Sequence, residues 1–196
     1  RETFVWDRFE QAPQLERGIE RRINPFNPRW RDRYYQELFP VEVAQFRIEF
    51  VRESVCKSYL EGLAWTHDYY TRRCTDYRWK YPYAYPPLFG DLLAYMDQYS
   101  VQNGGIEHAL DAPSPQANYA VEPLVQLCYV LPQSHLHLLP RALAHKLQTH
   151  YPEWHCRDAA FIGAYCRYFW EGHVRLPEIP LGQLETVVIG REQRRL

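Results

Sequence analysis

The chain is 196 residues long, 46% hydrophobic and 16% aromatic, and carries 23 Lys plus Arg against 24 Asp plus Glu, for a formal net charge of −1. That much apolar content can build a core and excludes disorder along the whole length, while the charge balance excludes a globally basic nucleic-acid binder and leaves phosphate contacts to a local patch. No apolar run approaches the ~20 residues that span a bilayer and no signal-like segment opens the chain, so no membrane partner is expected.

Starting at Arg1 rather than Met, the sequence reads as a piece of a longer or processed polypeptide. Residues 1–26 are charge-rich and read as an entering helix or linker, and residues 27–196 as one domain. Asn24-Pro25-Phe26-Asn27-Pro28 is a turn, and Asn27 followed by Pro28 predicts an N-cap and first turn for a helix from about Pro28 to Leu38, stopped by Pro40. From about Val41 the positions Phe46, Phe50, Val51, Val55, Tyr59, Leu63, Thr66 and Tyr70 recur by threes and fours with one step of one, which predicts one long amphipathic helix buried along that face. Gly62 lies inside it, where a missing side chain admits a close backbone.

Arg72 to Asp76 end this helix, and Pro82, Pro86 and Pro87 hold the next segment extended. Phe89 to Tyr99 reads as a second helix and Val101 to Asn118, with adjacent glycines, as an exposed loop. Further helices are expected at Glu122 to Val130, after Pro140 with Leu143, Ala144 and Leu147, and from Leu181 to a basic C-terminal end. A short strand or hairpin is expected within Ala164 to Pro177. The fold class is therefore mainly α, with a Pro-rich extended aromatic segment and a minor β element near the C-terminus.

Three motifs then stand in order. Tyr59-Leu60-Glu61-Gly62-Leu63-Ala64-Trp65, followed by Tyr69-Tyr70 and by Trp79-Lys80-Tyr81-Pro82-Tyr83-Ala84-Tyr85-Pro86 running to Asp91, resembles the second conserved region of the Xrn family of 5′-to-3′ exoribonucleases. Leu131-Pro132-Gln133-Ser134 through Leu138-Leu139-Pro140 is similar to the Leu-Pro-Pro-x-Ser-x-x-Leu-Leu-Pro element of that family. Phe169-Trp170-Glu171-Gly172 before Leu176-Pro177 is similar to its Phe-x-Trp-x-Gly step. The resemblance spans roughly Asn27 to Leu184 and departs from the family where Tyr77 replaces a Trp, Ala84 a His, and Lys80 an aromatic residue.

The resemblance implies a helical region that packs on a catalytic N-terminal domain, in cis or in trans, and shapes the entry channel for single-stranded RNA bearing a 5′-monophosphate. Family members hydrolyse RNA with metal ions on clustered carboxylates of that other region, where two cations stabilise the attacking and leaving oxygens. Mg2+ is expected there. In this segment no cofactor, metal site or catalytic residue is expected, because its acidic residues are scattered singly, and the segment is expected to be inactive alone. The resemblance puts Trp79 in the place of a ring that stacks the terminal base, although it also suits a wall of the aromatic cluster. Tyr81 lies beside it, and Arg72, Arg73, Arg78 and Lys80 surround the segment, giving the basic-plus-aromatic pattern of single-strand binders.

Other chemistries are weaker. His135-Leu136-His137 could set two imidazoles on one face of a strand but lacks a third ligand at diagnostic spacing. His67, His145, His150 and His155 read as surface or partly packed residues. The five Cys form no Cys-x-x-Cys pair and read as reduced thiols of an intracellular protein, nuclear or cytoplasmic. A rival reading makes the chain a diverged, non-catalytic interaction or structural module whose aromatic block binds protein, and the substitutions at Tyr77, Lys80 and Ala84 favour it.

Overall fold

Aromatic residues on short helices build the first core. The computed structural model describes Leu15, residues 17–104, 119–156 and 160–190, and divides the chain into two units, residues 16–120 and residues 121–196 joined with 1–15. In the 16–120 unit, α1 (Gly18–Ile23) and α2 (Trp30–Leu38) pack together across the predicted turn. Arg33 closes that turn: its guanidinium donates to the carbonyls of Arg22, Ile23 and Pro28 at 2.8 to 2.9 Å, satisfying acceptors that no helix serves. Tyr34, Tyr35, Leu38 and Phe39 are buried. The Tyr34 hydroxyl donates to the Pro86 carbonyl and the Tyr35 hydroxyl to Asp91 Oδ2, which fastens the Pro-rich segment to α2.

The predicted N-cap is one turn feature off: Arg29, left-handed at φ 61°, precedes α2 in place of Asn27. Pro40 ends α2 only by opening the next helix, since its ring costs nothing in a first turn. It begins α3 (Pro40–Gln45), and the chain then turns extended at Phe46 before α4 (Ile48–Thr71). The single helix expected from Val41 is thus broken at Phe46 and Arg47.

The apolar face is displaced as well. Val51, Val55, Cys56 and Leu60 form the buried stripe of α4, whereas Phe46, Phe50, Leu63 and Tyr70 are 52%, 54%, 49% and 80% exposed. Val51 and Val55 are buried as the spacing predicts, but the rest of the face is not, because large aromatic residues on the solvent side carry the same spacing. After residues 72–88, which are without regular structure, α5 (Phe89–Asn103) packs on α4 through Leu92, Cys56 and Leu60. It runs four residues beyond Tyr99 and closes on Gly104 at φ 71°, a left-handed cap that favours glycine. The rest of the expected loop lies outside the described residues.

In the 121–196 unit, α6 (Pro123–Val130), α7 (Arg141–His150) and α8 (Leu181–Ile189) surround a core of Val125, Cys128, Leu136, Leu147, Trp154, Ile179 and Leu184. Pro140 immediately precedes α7, and Ala144 and Leu147 are its buried residues, as the spacing suggests. The basic end of the expected closing helix lies outside the described residues. The β element is an antiparallel pair, β1 (Ala160–Ile162) with β2 (His173–Arg175), in the register Phe161 to Val174. Its first strand begins before the predicted window, and residues 163–172 form the connection, with Phe169 and Trp170 in a 3₁₀ turn (Phe169–Glu171) rather than in a strand. His155 is buried, its Nε2 facing the Cys128 carbonyl at 3.0 Å, so it is a core residue rather than a surface one. Gln133–Leu138 is a 3₁₀ turn, not a strand, which leaves His135 and His137 with ring centroids 5.9 Å apart.

Candidate nucleic-acid interface

Helix geometry assembles the aromatic block. Trp65 and Tyr69, four residues apart, share one face of α4, and their rings stack with centroids 5.3 Å apart and planes 12° apart. Trp79 comes from the extended segment and stacks on Trp65 at 5.6 Å and 24°. Its indole lies against Gly62, where a Cβ would stand 2.6 Å from Cη2. The close approach read from the sequence is therefore made by a side chain, not by another backbone. Trp79, Trp65 and Tyr69 form a column running from half-buried indoles to a ring that is half exposed.

The turn between α4 and Trp79 is fixed by its own hydrogen bonds. The Trp65 indole N–H donates to the Asp76 carbonyl at 2.8 Å, and the backbone N–H of Arg78 donates to Asp76 Oδ1 at 2.7 Å. Asp76 is buried, so its carboxylate serves as a turn-forming acceptor. Trp65 and Tyr69 are legible in the sequence as helix aromatics, and their spacing is the available signal for a stack. Asp76 carried no such signal, since its partner is backbone two residues on.

The remaining residues are placed differently from one another. Tyr81 is built into the wall: its hydroxyl donates to the Tyr85 carbonyl at 2.8 Å, and its ring meets Tyr59 and Tyr83 edge-on at 5.9 and 5.5 Å. Burial, with Tyr83, Tyr34 and Tyr59 alongside, pushes this phenol well above the ordinary tyrosine range. Arg78 holds its guanidinium 4.3 Å from the Tyr119 ring centroid, a cation–π contact that the sequence did not reveal. Arg72 is exposed and lies 3.6 Å from the Asp68 carboxylate. Arg73 is exposed one residue on, its backbone N–H donating to the Asp68 carbonyl at 2.9 Å. Lys80 is exposed beside Trp79.

The column thus offers flat apolar faces, and Arg72 and Arg73 offer positive charge at the helix end that leads into it. That combination suits stacking of planar groups next to anions. Among the described residues no three His, Cys, Asp or Glu side chains converge as metal ligands. No described helix is long and apolar enough to cross a membrane. None of the five cysteines is bridged.

A mainly helical unit with this aromatic turn after its longest helix defines a class that comparison with known proteins makes specific. The family model described as the Xrn1 helical domain matches residues 9–188, and the chain belongs to that family. It is similar to 5′-3′ exoribonuclease 2 of Debaryomyces hansenii, 35% identical over 121 residues that make 62% of this chain and 11% of that protein. Against 5′-3′ exoribonuclease 2 of Arabidopsis thaliana identity is 30% over 151 residues, 76% of this chain and 14% of the relative. Against that of Gallus gallus it is 28% over 195 residues, 90% and 19% respectively. The chain spans less than a fifth of the length of each of these relatives.

Proposed function

We propose that this chain is the helical region of a 5′-to-3′ exoribonuclease, packing on a catalytic domain and lining the channel by which single-stranded RNA with a 5′-monophosphate enters. In this reading the region serves RNA degradation without catalysing it. A catalytic domain, in cis or in trans, supplies the carboxylates that hold Mg2+, and the whole acts within the cell, in nucleus or cytoplasm. The observation that carries the reading is the Trp79–Trp65–Tyr69 column, which occurs at the family's aromatic motif and stands beside Arg72 and Arg73. Trp79 serves as the base-facing ring, Arg72 and Arg73 meet phosphates, and Arg78 and Tyr81 brace the surface from Tyr119 and the Tyr85 carbonyl.

The test is digestion of 5′-monophosphorylated RNA with magnesium. The 196-residue chain alone is expected to leave the RNA intact, and the full-length protein to degrade it. Degradation by the purified chain that disappears when its own carboxylates are mutated contradicts the reading.

A second reading, a non-catalytic protein-binding module, is favoured by the substitutions at Tyr77, Lys80 and Ala84. Full-length protein that leaves RNA undigested but loses a protein partner on mutation of the column supports this alternative.

A further inference from the structure

We propose that Trp65, Gly62 and Asp76 are positioning residues for Trp79, holding its indole as a fixed face for a planar base of single-stranded RNA. The inference rests on the stacking role given to Trp79 above and extends it from the ring to the parts that orient it.

Trp79 belongs to a segment without regular structure. A ring carried there and left unbraced must be ordered each time a ligand binds, at a cost in rotamer freedom. Three contacts remove that freedom beforehand. The Trp65 ring lies along one face of the indole at 24°, and Trp65 is itself backed by Tyr69 at 12°. Its indole N–H is tied to the Asp76 carbonyl at 2.8 Å, which locks Trp65 to the turn that delivers Trp79. Asp76 Oδ1 accepts the Arg78 N–H at 2.7 Å, setting the direction of the chain one residue before the indole.

Gly62 completes the seat. With a Cβ at that position only 2.6 Å from Trp79 Cη2, any side chain there forces the indole outward. Positions 62, 65 and 69 lie along one face of α4, so the indole is fixed relative to one rigid helix. A face presented this way recognises the π-surface common to all bases and carries no preference among them.

The experiment uses the full-length protein with divalent ions chelated. Binding is measured to a single-stranded oligouridylate carrying 2-aminopurine at its 5′ position, read by affinity and by quenching of 2-aminopurine fluorescence, and to the same oligonucleotide made abasic at that position. Trp65→Phe keeps a ring in the column but removes the indole donor, and Gly62→Ala adds one methyl group against Trp79. Both are expected to weaken binding of the base-bearing probe about three- to tenfold and to reduce quenching, with affinity for the abasic probe unchanged. Trp79→Ala is expected to abolish the quenching.

If Trp79→Ala loses quenching while Trp65→Phe and Gly62→Ala both behave as wild type, the positioning role is overturned and the stacking role stands. If Trp79→Ala also behaves as wild type, the stacking role itself fails and the positioning role with it. Equal weakening on the base-bearing and abasic probes by Trp65→Phe and Gly62→Ala indicates a general structural defect and likewise overturns the proposal.

Discussion

Cys56 shows how strongly position governs a side chain in this protein. It is buried between α4 and α5, and burial together with the Asp91 carboxylate pushes its thiol up to about 12. Because the thiolate is the reactive form, alkylation at neutral pH should mark the half-buried Cys74 and Cys156 first and leave Cys56 and Cys128 protected until the chain unfolds. Mass spectrometry of labelled peptides reads this order, and rapid labelling of Cys56 in the folded protein contradicts it. Asp32 is the opposite case. Burial pushes its carboxyl up, but Arg29 and Arg52 outweigh it and hold the carboxyl below the ordinary value of 3.8. A folded pKa depressed in this way contributes stability above the unfolded value, and the contribution is lost as pH falls through the folded one. Asp32→Asn should therefore lower stability by about 0.5 to 1 kcal/mol at neutral pH, with the difference from wild type shrinking in acid. A difference that persists undiminished at low pH, measured by denaturant titration, contradicts this assignment.

Helix α4 carries two loads. Val51, Val55, Cys56 and Leu60 are its buried residues, while Trp65 and Tyr69, nearer its C-terminus, contribute two of the three rings of the aromatic column. Leu60 is 2% exposed, and Leu60→Ala should cost about 2 to 5 kcal/mol, since the site loses both apolar transfer and packing. Thermal or denaturant unfolding checks this, and a loss below ~1 kcal/mol would show that α4 and α5 collapse around the vacancy. The period of α4 was legible in the sequence, its buried face only at Val51 and Val55, and its start not at all. Phe46 and Phe50 share the helical spacing yet pack on each other at 5.3 Å while remaining half exposed. Pro40 was read as a stop although a proline also serves in a first turn, a choice that local sequence does not decide. The 3₁₀ turn at Gln133–Leu138 and the burial of His155 depend on packing within the 121–196 unit, which no short-range pattern encodes.

The chain comprises two units, and the family match runs through both, from residue 9 to residue 188. Family membership was legible because three motifs kept their order over most of the chain, even though each is short. The candidate interface was legible only as a composition of rings and arginines. Which ring stacks on which follows from the close approach at Gly62 and the backbone acceptor at Asp76, and neither partner is a neighbour in sequence. For the same reason Arg78, grouped with Arg72 and Arg73 by proximity in sequence, is engaged by the distant Tyr119.

The most direct test is the equilibrium affinity of the full-length protein and its Trp79→Ala variant for single-stranded RNA, measured beside their melting temperatures. The stacking role predicts affinity lowered by about tenfold, within the ~1 to 3 kcal/mol that one base–aromatic stack supplies, at an unchanged melting temperature. Unchanged affinity, or a loss that appears only with a collapsed fold, would show that the ring is core and that the aromatic column does not face RNA.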